Sequence, residues 1–186
     1  MAFSGYIHRS LDVSTPVDVI YTDFEKAFDK VNHRILLRKL GNFGFSSGFL
    51  HFFTDYLRSR RQFVRYGSFD SYEYRVCSGV PQGSNLGPLL FLLFVNDVGE
   101  VFRNSQFLLY ADDLKVFLSV RNVDDHRFLQ EDLDSFFDWS TKNRLFLNIS
   151  KCCVLSIGRS RCPVVFDYRL GSDVLSRVSS TSDLGV

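Results

Sequence analysis

Cysteine is scarce in this sequence: 186 residues hold four, Cys77, Cys152, Cys153 and Cys162. No two of them stand in a C-x-x-C spacing, which argues against a structural zinc site. The longest unbroken apolar run, LLFLLFV at 89–95, is far shorter than the roughly 20 residues that span a bilayer. It reads as a buried helix, and no membrane partner is expected. No secretory leader is visible, so the expectation is an intracellular protein of nucleus or cytoplasm, not secreted, with reduced thiols. Internal repeats and low-complexity linkers are missing too. So is an excess of charge of one sign: the net charge is +1, and the whole-chain balance makes no case for nucleic acid.

Charge is instead segregated. Between Trp139 and Phe166 there is no acidic residue, yet Lys142, Arg144, Lys151, Arg159 and Arg161 lie there. Arg58, Arg60, Arg61 and Arg65 form a second basic run, and residues 124–138 are acidic. Runs of this kind are most often solvated faces.

Apolar residues make up 45% and charged residues 23%, which excludes a disordered chain. The length suits one domain, or one with a small appendage, and allows a substantial core. Phenylalanine, at 20 residues, favours a core of large rings. Residues 1–16 carry weak signals and are expected to be loosely held. VDVIYTDF (17–24) is β-branched and aromatic, a buried strand. In the stretch that follows, Phe28, Val31, Ile35 and Leu36 recur at helical spacing, with Gly41 or Gly44 as the stop. SSGFLHFFTDYLRSR predicts a helix with a serine cap near 46–47, and RQFVRYGSFDSYEYRVCSG a β-hairpin around Gly67 and Asp70. VPQGSNLGPLLFLLFVND is a Gly- and Pro-containing loop opening into a helix. SQFLLYADDLKVFLSV is strand, tight turn, strand. Residues 124–144 give an amphipathic helix with Phe128, Leu129, Leu133, Phe136 and Phe137 on one face and Asp124 or Asp125 as cap. Short strands and turns follow through 161–186. Strands and helices mix without strict βαβ alternation, so the expected class is α+β with a mainly antiparallel sheet flanked by helices.

Asp112 and Asp113 adjoin at the end of an apolar strand, where like charges repel and burial is costly without compensation. Asp23 ends another buried strand. An adjacent acidic pair is commonly a surface turn, and an isolated aspartate commonly a cap. Three carboxylates converging at one end of a sheet would instead suit hard divalent cations. Two such ions about 3.5–4 Å apart can hold the attacking and leaving oxygens of an in-line phosphoryl displacement. PQGS at 81–84 places a glutamine and a glycine before a helix, a loop whose backbone N–H groups can approach phosphate or base.

YTDFEKAFDKVNHRILLRKL, SGVPQGSNLGPLLFLLFVND and YADD occur in that order. Together they resemble the palm of reverse transcriptases from non-LTR retrotransposons of the LINE and jockey type. YLRSRRQFV between the first two is similar to the family's connecting segment, and LFLNISKCCVLSIG to its next block. The resemblance covers about residues 17–160 and extends to the closing DLGV. It implies an RNA-directed DNA polymerase that works on an RNA template, a DNA primer and deoxynucleoside triphosphates with two Mg²⁺ or Mn²⁺ ions. Asp23 and Asp112 would bind both ions, Asp113 would assist, and the Phe24 carbonyl would complete an oxygen shell. Phe28 would oppose a 2′-OH on the incoming sugar. Gln82 and Gly83 would line nucleotide and template, Tyr110 would support the primer end, and Lys151 would place a cation near the leaving pyrophosphate. Asp29 and His33 also belong to the family pattern; capping or packing is expected of them.

The resemblance implies fingers before this palm and a thumb after it. Both are expected to be largely missing here, so the chain reads as truncated, with residues 161–186 leading toward the thumb. Two other readings stand beside the polymerase. One is a non-catalytic remnant of a retroelement that binds nucleic acid or protein. The other is a different two-metal enzyme on a similar sheet, such as a nucleotide cyclase, against which PQGS and the ordered blocks argue.

Overall fold

A computed structural model describes residues 3–58, 60–159 and 165–181. In chain order, α1 (Phe3–Asp12) leads into β1 (Val17–Thr22), then α2 (Ala27–Lys30), α3 (His33–Asn42) and α4 (Ser47–Arg58). A run of two-residue strands follows: β2 (Arg61–Gln62), β3 (Arg65–Tyr66), β4 (Phe69–Asp70) and β5 (Tyr74–Arg75). Helix α5 (Leu86–Val95) runs into a 3₁₀ turn (Asn96–Val101). Strands β6 (Gln106–Tyr110) and β7 (Asp113–Ser119) precede α6 (Val123–Asn143), a 3₁₀ turn (Ile149–Lys151) and β8 (Cys153–Ile157). Strands β9 (Arg169–Leu170), β10 (Asp173–Val174) and β11 (Ser176–Val178) complete the described elements.

The chain divides into two compact units. The first comprises Met1–Glu25, Asp97–Lys142 and Phe146–Val186; the second comprises Lys26–Asn96 and Asn143–Leu145.

The first unit is built on a five-stranded sheet in the order β11-β8-β1-β7-β6. Its neighbours pair antiparallel except for β11 and β8, which are parallel. This is the α+β, mainly antiparallel architecture expected. The β-branched strand β1 lies in the middle of the sheet, where side chains fill both faces. On one face Val17 and Val19 form a buried cluster with Phe117, and Phe3, Tyr6 and Ile7 of α1 pack against it. The rings of Phe3 and Tyr6 stand edge-on to Phe117 at 4.9 and 5.0 Å. The segment expected to be loosely held therefore contains a helix. Its apolar residues at i, i+3 and i+4 gain their value only against the sheet.

Helix α6 buries His126, Leu129, Leu133, Phe136 and Ser140, a stripe at spacings of three and four. Phe128, expected on that stripe, is exposed, because it sits one position, about 100°, away from Leu129. The cap is also displaced. Asn122 Oδ1 accepts from the N–H groups of Asp124 and Asp125, and Asp125 Oδ2 returns the bond to the N–H groups of Arg121 and Asn122. This reciprocal arrangement satisfies donors that a helix N-terminus leaves orphaned.

One buried polar group lies in β1 itself. Asp18 Oδ2 accepts from the Tyr168 hydroxyl at 2.9 Å and lies 3.4 Å from His126 Nδ1. Its Oδ1 accepts from Ser156 and lies 3.5 Å from the Arg177 guanidinium. The Tyr168 hydroxyl is also 2.7 Å from His126 Nδ1. Four partners thus surround one carboxylate that is 2% exposed, which is the condition for burying such a charge at tolerable cost.

In the second unit α3 packs with α4 and α5, burying Leu36, Leu40, Leu57, Leu90 and Phe94. The continuous helical spacing read over 25–44 is interrupted between Lys30 and His33. There Asn32 turns extended and its Oδ1 accepts from the Ile35 N–H at 3.1 Å. Its side chain caps a new helix rather than continuing the old one. The predicted hairpin over 61–79 forms as two tiers, β2 with β5 and β3 with β4, with Gly67 at φ 61° in the tip.

Cys152 is 1% exposed. Burial pushes its thiol from its ordinary 9.0 up to about 11, against a smaller downward pull from a backbone hydrogen bond at Asp23. Burial, with the Asp18 carboxylate beside it, also drives Tyr168 upward. Between pH 9 and 11 the unfolded chain has released the Cys152 proton while the folded chain retains it. These two groups therefore add no pH dependence below pH 9; stability should fall by about 1.4 kcal/mol per pH unit above pH 9 through Cys152, and more steeply above pH 10, where Tyr168 adds to it. Urea unfolding at pH 8, 10 and 11 reads this directly, and Cys152→Ala should flatten part of the slope. A wild-type profile that stays level to pH 11 would contradict the burial argument.

Candidate active site at the end of the central strand

Strand β1 ends at Thr22, which lies opposite Leu114 of β7. The Thr22 hydroxyl donates to the Leu114 carbonyl at 2.9 Å and pins the two strands there. Asp23 therefore leaves β1 beside the point where Asp113 opens β7. Beyond it, the Asn148 N–H donates to the Asp23 carbonyl at 2.8 Å. Phe24 bridges to Leu147, and its buried ring packs near Phe136 and Trp139. Asp23 is thus held by backbone on both sides.

The YADD segment closes the β6–β7 hairpin. Tyr110 pairs with Asp113, which leaves Ala111 and Asp112 as a two-residue turn. Ala111 adopts φ 53°, left-handed backbone that costs a residue with a Cβ about 1–2 kcal/mol. The tightness of the turn sets both aspartates at the sheet edge: Asp112 is half-buried and Asp113 exposed. Tyr110 is 70% exposed. At the far end of β6, buried Asp132 accepts from the N–H groups of Arg103, Asn104 and Ser105 and from the Ser105 hydroxyl. That carboxylate fastens the entry to the hairpin.

A cavity of about 430 Å³ opens here, lined by Asp23, Tyr110, Asp113, Lys115 and Lys151 among others. Lys151, in the 3₁₀ turn before β8, brings Nζ to 3.4 Å from Asp23 Oδ2. The structure thus gathers Asp23, Tyr110, Asp113 and Lys151 around one concavity, with Asp112 in the adjoining turn. The donors are carboxylate oxygens at neighbouring strand ends, the chemistry that hard divalent cations take. Among the described residues, no three acidic, histidine or cysteine side chains close into a metal-holding group. Asp23 faces the Lys151 ammonium instead.

The remaining predicted residues lie in the second unit. Phe28 is half-buried and stacks on Phe91, with ring centroids 4.4 Å apart. Gln82 and Gly83 are exposed in the loop before α5, and Gly83 takes φ 75°. Gln82 Nε2 donates to Asp29 Oδ1 at 2.9 Å, and the Ser78 hydroxyl donates to the Asp29 carbonyl. His33 Nε2 lies 2.7 Å from the Gly79 carbonyl. Gly79 is at φ 85°, and a Cβ there would come within 2.7 Å of the Asp29 carbonyl oxygen. Asp29 and His33 are therefore not helix caps, that part being taken by Asn32; they tie down the loop that presents Gln82. Their spacing from the PQG segment gives no local signal of this, because the loop returns from some 50 residues away.

The reverse transcriptase (RNA-dependent DNA polymerase) family matches residues 15–183. The probable RNA-directed DNA polymerase from transposon X-element of Drosophila melanogaster is 32% identical over 71% of this chain and 15% of its own length. The RNA-directed DNA polymerase from mobile element jockey of Drosophila funebris is 30% identical over 89% of this chain and 19% of its own. The chain thus spans less than a quarter of the length of these relatives. Among solved structures, apo telomerase from Candida tropicalis, truncated from its C-terminal domain, superposes with a TM-score of 0.62 at 16% identity. The match covers 94% of this chain and 40% of that one, and it supports the fold. With the ordered motifs on these elements and a family match over nearly the whole chain, the protein belongs to the reverse transcriptase family, in the non-LTR retrotransposon group that includes jockey.

Proposed function

We propose that this chain is the catalytic palm of an RNA-directed DNA polymerase, which extends a DNA primer with deoxynucleotides along an RNA template. The observation that carries the reading is the placement of Asp23 at the end of β1 beside Asp113 at the start of β7, with Lys151 on the same cavity. Asp23, Asp112 and Asp113, with the Phe24 carbonyl, are the residues proposed to hold two Mg²⁺ or Mn²⁺ ions. When bound, such ions supply Lewis-acid stabilisation of the attacking and leaving oxygens. Lys151, with Nζ 3.4 Å from Asp23 Oδ2, would balance part of the carboxylate charge and place a cation near the departing pyrophosphate. Tyr110, exposed beside the acidic turn, supports the primer end. Gln82 and Gly83, held by Asp29 and His33, face nucleotide and template. In its palm role the segment 17–160 is the functional domain, and RNA and nucleotide substrates place its action inside the cell, in nucleus or cytoplasm.

Phe28 is proposed as the ring that opposes a ribose 2′-OH, and its stack on Phe91 fixes the ring plane. The test uses a jockey-type polymerase in which this chain replaces the corresponding segment. Primer extension on RNA should proceed with deoxynucleotides, and Phe28→Ala should raise ribonucleotide use about tenfold or more, since one steric contact is worth roughly 1–3 kcal/mol of discrimination. Loss of extension with no change in the ribo-to-deoxy ratio would reduce Phe28 to a packing residue. A replacement that folds but extends no primer would overturn the polymerase reading.

A further inference from the structure

The second unit carries a surface that the proposed chemistry leaves unused. Residues 58–75 contain five arginines and two acidic residues. Arg58, Arg60, Arg61 and Arg75 line one concavity of about 340 Å³. Arg61 and Arg75 are paired directly across β2 and β5, where like charges destabilise a strand pair. Of the two carboxylates, Glu73 lies 3.4 Å from Arg61 and Asp70 makes a two-pronged pair with Arg65 at the tip. Arg58, Arg60 and Arg75 thus line one concavity while the two carboxylates pair with Arg61 and Arg65. A cluster of this kind is relieved by a bound polyanion.

The same hairpin shows rings to solvent. Tyr66 and Phe69 are cross-strand neighbours at 86% and 79% exposure, and Tyr72 is 97% exposed. Arg60 stacks over the Tyr56 ring and Arg65 over the Phe63 ring. Arginines that can follow a phosphate backbone, alternating with flat exposed rings, match a strand whose bases are unstacked and available. Inorganic phosphate would use the arginines alone, and a duplex would keep its bases from the rings.

We infer that the 60–75 hairpin, with Arg58 at the end of α4, is a docking surface for single-stranded RNA, with its phosphates on Arg58, Arg60 and Arg75 and its bases on Tyr66, Phe69 and Tyr72. Only the choice of RNA over DNA rests on the polymerase reading; the single-strand surface stands on the hairpin itself.

The test is fluorescence anisotropy with a labelled 12-nucleotide RNA of mixed sequence in EDTA, across a range of NaCl concentrations, using the full chain. Wild type should bind the single strand in preference to a duplex of the same sequence. Arg60→Ala/Arg75→Ala should weaken binding about tenfold at low salt and reduce the slope of log affinity against log salt by ~1.4, since each phosphate contact on a single strand contributes about 0.7. Tyr66→Ala/Tyr72→Ala should also weaken binding about tenfold but leave the salt slope unchanged. These positions are exposed, and circular dichroism confirms that both variants fold. Cross-links from 4-thiouridine RNA should map to residues 66–74. Binding is read in EDTA without nucleotide or primer and does not depend on primer extension, so failure of the catalytic reading and failure of this one separate. No binding by wild type, unchanged affinity in both double variants, equal capture of duplex, tighter binding of DNA, or self-association through the hairpin would each overturn the inference.

Discussion

In a jockey-type polymerase carrying this chain in place of its own segment, Asp112→Asn is expected to cut primer extension on RNA by at least about a thousandfold, on the scale of removing one pre-organised electrostatic group from an active site. The substitution keeps the shape of the side chain and removes its charge. Asp112 sits in a two-residue turn between Tyr110 and Asp113, so an amide fits the same backbone and folding should be preserved. What changes is the ability of the site to accumulate positive charge where the leaving oxygen turns negative. Asp23→Asn should give a loss of the same order. The two together should cost little more than either alone, because groups acting on one ion pair act as a unit. A companion measurement on the isolated chain is titration with Mn²⁺. Binding should be weak, since the described residues close no three-ligand group and Lys151 stands 3.4 Å from Asp23. Lys151→Met should strengthen it several-fold by removing that competing cation. Equal extension with Asp and Asn at position 112 would sink the catalytic assignment.

The largest stability effect is expected at Asp18. Asp18→Ala should destabilise the chain by about 3–5 kcal/mol, the cost of removing one partner from a buried charged group. It leaves the Tyr168 hydroxyl, the Ser156 hydroxyl, His126 and the Arg177 guanidinium without their common acceptor. Chemical denaturation at neutral pH measures it. Tyr168→Phe removes one donor and keeps the rest satisfied, so about 1–2 kcal/mol is expected. If Asp18→Ala cost less than Tyr168→Phe, the carboxylate would not be the centre of this cluster. No effect on catalysis is required by the argument, because Asp18 and Asp23 differ by an odd number of positions along β1 and its exit, and alternate residues of a strand point to opposite faces.

Some elements could be read without tertiary information. The β-branched run at 17–22, the strand–turn–strand around YADD, the apolar helix at 86–95 and the amphipathic helix at 123–143 each carry a local signal in periodicity, turn length or propensity, and each forms close to where it was expected. The order of the motifs identified the family from residue types alone. Asp23 and the YADD aspartates were legible because strand ends and tight turns put carboxylates at an edge.

What the chain alone did not reveal depends on partners distant in sequence. Helix α1 is weakly signalled because four apolar residues in ten, three of them packed on the sheet, stabilise little until that face meets them. The assignment of Asp29 and His33 needed the loop at 78–82, some 50 residues on, to fold back over them. Lys151 meets Asp23, and Tyr168 meets Asp18, only because β8 and the segment after it lie alongside β1. The sequence by itself determined the family and the α+β class and singled out the carboxylates proposed for metal-assisted phosphoryl transfer, since these are written in local pattern and motif order. Only the tertiary structure decided which charges face one another, because antiparallel register brings together side chains that no local periodicity relates.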